Sequence, residues 1–419
     1  MIKTRNRSRR HDIVLWGATG FTGALVAEYL VEAVETTGIR LALGGRSPAK
    51  LEALRDRLAG SFPAAVNLPL IVADSHDRDS LDAVAAATEV VCATVGPYAI
   101  HGHDLVAACV EAGTDYCDLT GEVPFIRAMI DRHHSRAQTT GARIVHCCGF
   151  DSIPSDLGTL MLQEASIARF GRALDRVTFV LGASRGGFSG GTAASLTNVI
   201  ESATKDSAVR RIVTDPYALN PEGERAGPDG PDLAAPRFNR DIGSWTGPFV
   251  MASINTRIVR RSNALLGWRY GRDFRYSEVT GFPPGFTGRV GAGLIAGGLG
   301  AFVGALSWGP TRSLLRKTLL PSPGEGPSRE KRERGFFNIS LYGRGTNEEN
   351  RPISLDAKVR GRKDPGYGET AKMLGESALC LALDGAALES GGGILTPAVA
   401  MGLRLVGRLR RAKMVFEVG

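Results

Sequence analysis

The sequence predicts an α/β protein, a Rossmann-type doubly wound parallel sheet followed by a second α+β domain. Three observations predict it. The apolar run Ile13-Val14-Leu15-Trp16 leads straight into a glycine-rich turn and then an amphipathic stretch, Ala24 to Val34. Strand-like and helix-like segments alternate through the first 150 residues, as in a parallel sheet covered on both faces. After residue 156 that alternation stops.

The elements follow in order. Strands fit residues 12–17, 40–45, 68–73, 90–95, 114–118 and 142–148, and helices fit 21–36, 47–60, 78–87, 103–112 and 124–140. Six strands complete a dinucleotide-binding domain. Beyond it, 157–164 reads as helix, 176–183 as strand and 192–208 as helix. Residues 214–248, rich in Pro, Gly and Asp, read as a long irregular excursion, and loops of that length are functional or disordered rather than passive. Strands return at 249–258, around 336–342 and at 353–360, then helices at 367–384 and 396–411. The expected division is a basic tail (1–11), a nucleotide domain (12–156), a substrate and dimerisation domain (157–366) and C-terminal helices packing back on the nucleotide domain (367–419).

The turn is Gly17-Ala18-Thr19-Gly20-Phe21-Thr22-Gly23. Glycine lets the chain turn sharply and lets a pyrophosphate approach the backbone, facing the free N–H groups of the following helix. The second strand ends in Arg46, with Ser47 and Lys50 close behind, where an NAD site carries an acid for the ribose hydroxyls. A guanidinium instead binds the 2′-phosphate of NADP through paired hydrogen bonds. The pattern therefore predicts NADP(H), against the plainer reading of Arg46 as a surface residue. Asp74 ends strand three, where it meets either the adenine amino group or solvent.

The chain has 419 residues and a formal net charge of +8, yet it has no nucleic-acid motif. Lys3 to Arg10 is a basic start with no signal-peptide core behind it, so it reads as a solvated tail. The positive charge would suit an acidic partner. Six cysteines, Cys92, Cys109, Cys117, Cys147, Cys148 and Cys380, show no metal spacing and read as reduced and structural. Together these point to a cytoplasmic chain without a metal.

Residues 290–308 carry no charge, with Arg289 before them and Arg312, Arg316 and Lys317 after. Length alone permits a membrane span, but the many glycines weaken both hydrophobicity and helix propensity. Gly293, Gly297, Ala301 and Ala305 form a small-residue face suited to tight packing. The alternatives are peripheral membrane contact, an apolar substrate lining, or a core or dimer helix. The first two are preferred to a true span. A homodimer is compatible with this segment and the C-terminal helix.

Three further segments end predicted parallel strands, at the edge where open α/β sheets bind ligands. They are Thr94-Val95-Gly96-Pro97-Tyr98, Asp115 to Glu122, and Cys148-Gly149-Phe150-Asp151-Ser152-Ile153-Pro154-Ser155-Asp156. No Tyr-x-x-x-Lys pair of the short-chain reductases is present. With the glycine turn and the C-terminal Gly393-Ile394-Leu395-Thr396-Pro397-Ala398, these segments resemble the saccharopine dehydrogenase-like oxidoreductases. The chain length, Arg46 and the apolar insertion resemble the trans-acting enoyl reductases of actinobacterial lipid synthesis. That resemblance implies reduction of a carbon–carbon double bond in a polyketide or fatty acyl chain held on a synthase carrier domain, in phthiocerol and phenolphthiocerol lipid assembly.

Such a reaction needs a donor for the thioester oxygen and a proton for the α-carbon. The catalytic candidates are Tyr98, Asp151 and Ser152. Each has a plainer alternative: packing for Tyr98, helix capping for Asp151, Ser152, Ser155 and Asp156. Gly96 and Pro97 let the nicotinamide riboside approach, beside Val95. Asp118 and Glu122 order the loop after strand five, and His101 and His103 flank a helix start. The rival readings are a saccharopine-type amino-acid reductase, which would want convergent Arg or Lys groups, and a non-catalytic NADP-binding scaffold on membranes or lipid bodies.

Overall fold

A computed structural model describes residues 9–186, 190–318, 326–347 and 349–419, apart from the side chains of Thr192, Ser313 and 316–318. Most of the basic start, and the side chains of Arg316 and Lys317, thus lie outside the described residues. Arg9 does not belong to a solvated tail: its guanidinium donates to the carbonyls of Ala112 (2.6 Å) and Thr88. It thereby meets the unpaired acceptor at a helix C-terminus.

The nucleotide domain runs β1 (His11–Trp16), α1 (Phe21–Thr37), β2 (Leu41–Gly45), α2 (Pro48–Ala59), β3 (Leu70–Val72), α3 (Arg78–Ala87), β4 (Thr88–Ala93), α4 (Tyr98–His101), α5 (His103–Ala112), β5 (Asp115–Asp118), α6 (Val123–Thr140) and β6 (Arg143–Val145). Its strands pair in parallel, with β1 between β2 and β4, so the carboxyl ends of β1 and β4 open on one side. Ile13, Val14, Leu15 and Trp16 are all buried, as expected of a strand covered on both faces and therefore apolar throughout.

The chain continues through α7 (Ile153–Phe170), β7 (Arg176–Arg185), α8 (Gly190–Lys205), α9 (Ser207–Thr214), β8 (Arg237–Asn239), β9 (Ser244–Pro248), α10 (Ala252–Leu265), β10 (Arg275–Phe282), α11 (Phe286–Ser307), α12 (Gly309–Thr318), α13 (Arg329–Glu333), β11 (Phe336–Thr346) and β12 (Pro352–Gly361). Last come α14 (Thr370–Asp384), β13 (Gly393–Leu395), α15 (Pro397–Ala400), α16 (Gly402–Arg411) and β14 (Val415–Val418). The second sheet has the order β14-β12-β11-β7-β10-β9-β8 and is mostly antiparallel.

The final segment joins both sheets. β13 adds a seventh parallel strand beside β6, while β14 extends the second sheet beside β12. Ahead of both strands, α14 packs on α1 and β4. Tyr29 donates to Glu376 (2.6 Å), which also accepts from Arg408 (2.7 Å).

Three expectations are corrected. The strand expected at 249–258 is the helix α10. Ile254 and Ile258 are buried at helical spacing, and its polar residues are buried because they have partners. Arg257 pairs with Asp232 (2.7 Å), Arg260 with Asp229 (2.8 Å), and Arg261 donates to the carbonyls of Leu219 and Ile394. These arginines fasten the irregular segment after α9, which therefore packs against the core, and its end forms β8 and β9. β10, β13 and β14 had no separate expectation. Helix 396–411 is divided at Met401 into α15 and α16.

Asp156, on the first turn of α7, is buried and accepts from Ser262 Oγ (2.5 Å) and the Ala398 N–H (2.8 Å). Burial pushes its carboxyl up to about 7. Asp156→Ala strands the Ala398 N–H, while Ser262 keeps the Ile258 carbonyl (3.0 Å) as acceptor, and a buried unmatched polar group costs about 1–3 kcal/mol. Urea unfolding at pH 6 is expected to show a loss of about 2 kcal/mol, with wild-type slope retained.

Candidate functional site

A cleft of about 760 Å³ lies along the carboxyl edge of the parallel sheet. Gly17, Thr19, Gly20, Phe21, Thr22, Gly23, Arg46, Ser47, Lys50, Asp74, Val95, Gly96 and Pro97 all line it. Ala18 does not: it is buried behind the turn, its N–H donating to Gly44 (3.1 Å).

Two glycines are dictated by geometry. Gly17 has φ +82°, and a Cβ there would lie 2.5 Å from the Val95 side chain. A Cβ on Gly23 would lie 2.1 Å from the Gly17 carbonyl oxygen, so only glycine lets α1 begin this close to the turn. Thr94 Oγ1 holds the same carbonyl at 3.1 Å. Gly20 caps α1 without a side-chain bond. The N–H groups opening α1 thus face the cleft with helix-dipole support, which fits a pyrophosphate.

Arg46 is exposed at the end of β2 and makes no ion pair among the described residues. That leaves its guanidinium available for a ribose phosphate. Ser47 also caps α2, accepting from the Lys50 N–H (3.4 Å). Asp74 accepts from the His76 N–H (2.9 Å) while lining the cleft. His101 contacts His76 (3.2 Å), His103 packs edge-on against Phe125, and neither lines the cleft.

Past the turn, the cleft meets an inner pocket of about 150 Å³ through Thr22, Thr94, Gly96 and Gly191, which line both. Its walls are largely apolar: Leu119 and Val123 from the nucleotide domain, Leu196 and Val199 from α8, Val213 from α9, and Val250, Met251 and Ile254 at the start of α10. Glu122 ties these walls together. It is buried and accepts from the N–H groups of Tyr98 (2.9 Å) and Ala99 (3.0 Å) and from Ser195 Oγ of α8 (2.7 Å). Asp118 orders the same loop, accepting from Thr120 N–H (3.1 Å) and contacting His146 (2.7 Å).

Of the three catalytic candidates, only Asp151 lies ready for chemistry. It is half-buried, lines the inner pocket, and has no hydrogen-bond partner among the described residues. Desolvation pushes its carboxyl up to about 7. Tyr98 borders the pocket, but its hydroxyl donates to the Ala93 carbonyl (3.2 Å) and accepts from the Leu119 N–H (3.2 Å). Its only proton is committed here to bracing the ends of β4 and β5, and the oxyanion would have to displace that bond. Ser152 is fully buried away from the pocket and donates to Asn255 (3.0 Å), which donates to Glu278 (2.9 Å). Its hydroxyl is thus committed away from the pocket and does not cap α7. Among hydroxyls lining the pocket, Thr22 alone has no protein partner in the described residues.

The pocket wall from α8, α9 and α10 was not legible in sequence, because Leu196, Val199, Val213 and Ile254 look like any helical core positions. A glycine pair, Gly190-Gly191, was the one available signal, since it brings the start of α8 to the cleft.

The saccharopine dehydrogenase NADP-binding domain matches residues 13–145, and the chain binds NADP(H). A Mycobacterium ulcerans protein named trans-acting enoyl reductase is 43% identical over 420 residues, covering 97% of each chain. A Mycobacterium tuberculosis relative provisionally given that name is 45% identical over 414 residues, covering 96% of each. The apo saccharopine dehydrogenase (L-Glu forming) of Saccharomyces cerevisiae superposes with a TM-score of 0.51 at 12% identity, covering 98% of this chain and 99% of that one, which establishes a shared fold.

Arg46→Ala removes a charge-assisted phosphate contact, worth about 1.5–3 kcal/mol. NADPH affinity is expected to fall about 10- to 100-fold while NADH affinity stays level, as read by nicotinamide fluorescence titration.

Proposed function

The chain belongs to the family of the mycobacterial trans-acting enoyl reductases, within the saccharopine dehydrogenase-like oxidoreductases, and we propose that it reduces an α,β-unsaturated acyl thioester presented on a carrier domain during lipid assembly. The observation that carries this reading is the inner pocket. It opens from the NADP(H) cleft, is walled by aliphatic side chains, and has Asp151 as its one charged-type side chain. An amino-acid substrate would need cationic partners, and no Arg, Lys or His is among the lining residues described. The relatives' names support the enoyl reduction; the carrier and the lipid are part of the proposal.

A bound NADPH would supply hydride to the β-carbon of the enoyl thioester. The chain's own residues do the rest. Apolar walls from α8 and α10 hold the acyl chain and exclude water, which strengthens polar contacts inside. Glu122 fixes the turn at Tyr98 and Ala99 against α8, keeping both walls in register. Asp151 keeps a proton near neutral pH because ionising it in this setting is costly, and it delivers that proton to the α-carbon. Thr22 Oγ1 is free to hydrogen-bond either a cofactor phosphate or the thioester.

The test is loss of nicotinamide absorbance with NADPH and an unsaturated acyl thioester. Turnover supports the proposal, whereas tight NADPH binding without turnover of any enoyl thioester favours a non-catalytic scaffold. In the producing cell, deleting the gene should leave lipid lighter by two hydrogens.

Asp151 is protonated below about 7 and ionised above. The rate is therefore expected to be flat on the acid side and to fall about tenfold per pH unit on the alkaline side. Asp151→Asn should lower kcat by about 10²–10⁴ and flatten the profile. Its NADPH affinity should match wild type in the same titration.

A further inference from the structure

The apolar segment around 290–308 forms most of α11, a helix of 22 residues. Two readings from sequence, a lining for the substrate and a buried core helix, do not hold among the described residues. No residue of α11 lines the inner pocket, and Gly288, Ala292 and Leu306 are its only buried residues. Those residues fix both ends of the helix against the second sheet and α8, so α11 lies along the body rather than standing away from it. Between them it faces outward. Phe286 is 78% exposed and Leu294 73%, with Ile295, Val303 and Trp308 also exposed.

Water is a poor medium for this helix. Side chains built on Gly297, Gly298, Gly300 and Gly304 would meet open space, so these glycines are not required by packing. Each weakens the helix in water by lowering its propensity. In a lipid environment the balance reverses, because backbone groups without water must bond to one another and the helix is the local way to do so.

The rim matches an anionic surface. Arg289 precedes the apolar stretch and stacks on Trp245. Arg237 and Arg240 lie on and just after β8, which packs beside α11, with exposed Phe238 between them. None of these three arginines makes an ion pair among the described residues. Aromatic residues, Phe286 and Trp308, flank the apolar stretch at either end, as at a membrane interface. Exposed apolar length, uncharged between its ends and bordered by free arginines, is the pattern of a helix seated in one leaflet.

We propose that α11 docks the protein on an anionic bilayer, lying in the interfacial plane of one leaflet with Val290, Leu294 and Ile295 in the acyl region and Arg237, Arg240 and Arg289 at the lipid phosphates. α11 packs on α8, whose opposite contacts include the wall of the inner pocket, so the docked face adjoins the substrate site without forming it.

Flotation of the full-length protein with vesicles of phosphatidylcholine mixed with phosphatidylglycerol, against pure phosphatidylcholine, tests this. The protein is expected to float with the mixed vesicles, to be released by salt, and to show Trp308 quenching by brominated lipid. The Leu294→Glu, Ile295→Glu variant should lose flotation, and Arg289→Ser, Arg240→Ser should lose the preference for phosphatidylglycerol. NADPH titration confirms that each variant is folded and keeps this result separate from the reductase reading. Failure of the wild-type protein to float, or flotation of the Leu294→Glu, Ile295→Glu variant at wild-type level, overturns the proposal. So does a stable dimer in sedimentation that Leu294→Glu splits while vesicles go unbound, since a second copy would then be the occupant.

Discussion

The approach of α1 to the Gly17 carbonyl is the constraint on which the site depends. With a Cβ at position 23 only 2.1 Å from that oxygen, any other residue would push the helix away from the turn. The helix N-terminus would then no longer face the cleft, and its dipole and free N–H groups would be spent on water. Thr94 secures the contact from the next strand of the sheet, bonding both Trp16 and Gly17 carbonyls at 3.1 Å. The neighbouring segment, Val95 to Pro97, leads on to the inner pocket. One contact without side chains therefore sets where phosphate and substrate can lie.

Desolvation shapes the rest. Buried arginines of α10 are tolerated because each finds carboxylates or backbone carbonyls, and in being satisfied they hold an irregular segment against the helix. Arg261 shows the cost most plainly: burial and the nearby Arg127 depress its pKa to about 9. Asp156, Asp151 and Glu278 respond alike, each pushed up to about 7 by burial. Their surroundings separate their roles. Asp156 and Glu278 are bonded into the core, whereas Asp151 faces the pocket with no partner among the described residues. A raised carboxyl is only useful to chemistry where substrate can reach it.

The C-terminal segment explains how two sheets form one body. Its two strands complete different sheets, and α14, which precedes them, covers the nucleotide domain. Asp156 anchors the middle through the Ala398 N–H. Because α7 begins the second domain and carries Asp156, the chain's last fifty residues and the domain junction are coupled by a buried bond. Glu122 does the same at the pocket, joining Tyr98 and Ala99 to α8.

Local order was legible in the sequence wherever period and glycine spacing act over a few residues. The first six strands, their helices, the phosphate turn and Arg46 follow from steric need for glycine and from charge matching a 2′-phosphate. Tertiary structure decided what depends on partners distant in the chain. Polar α10 is a helix because Asp229, Asp232 and distant carbonyls satisfy it, and no local pattern records those partners. Tyr98 and Ser152 have the right chemistry in sequence, yet their hydroxyls are already bonded to Ala93 and Asn255. Asp151 becomes the proposed proton donor only because folding removes water from it and leaves it without a partner among the described residues.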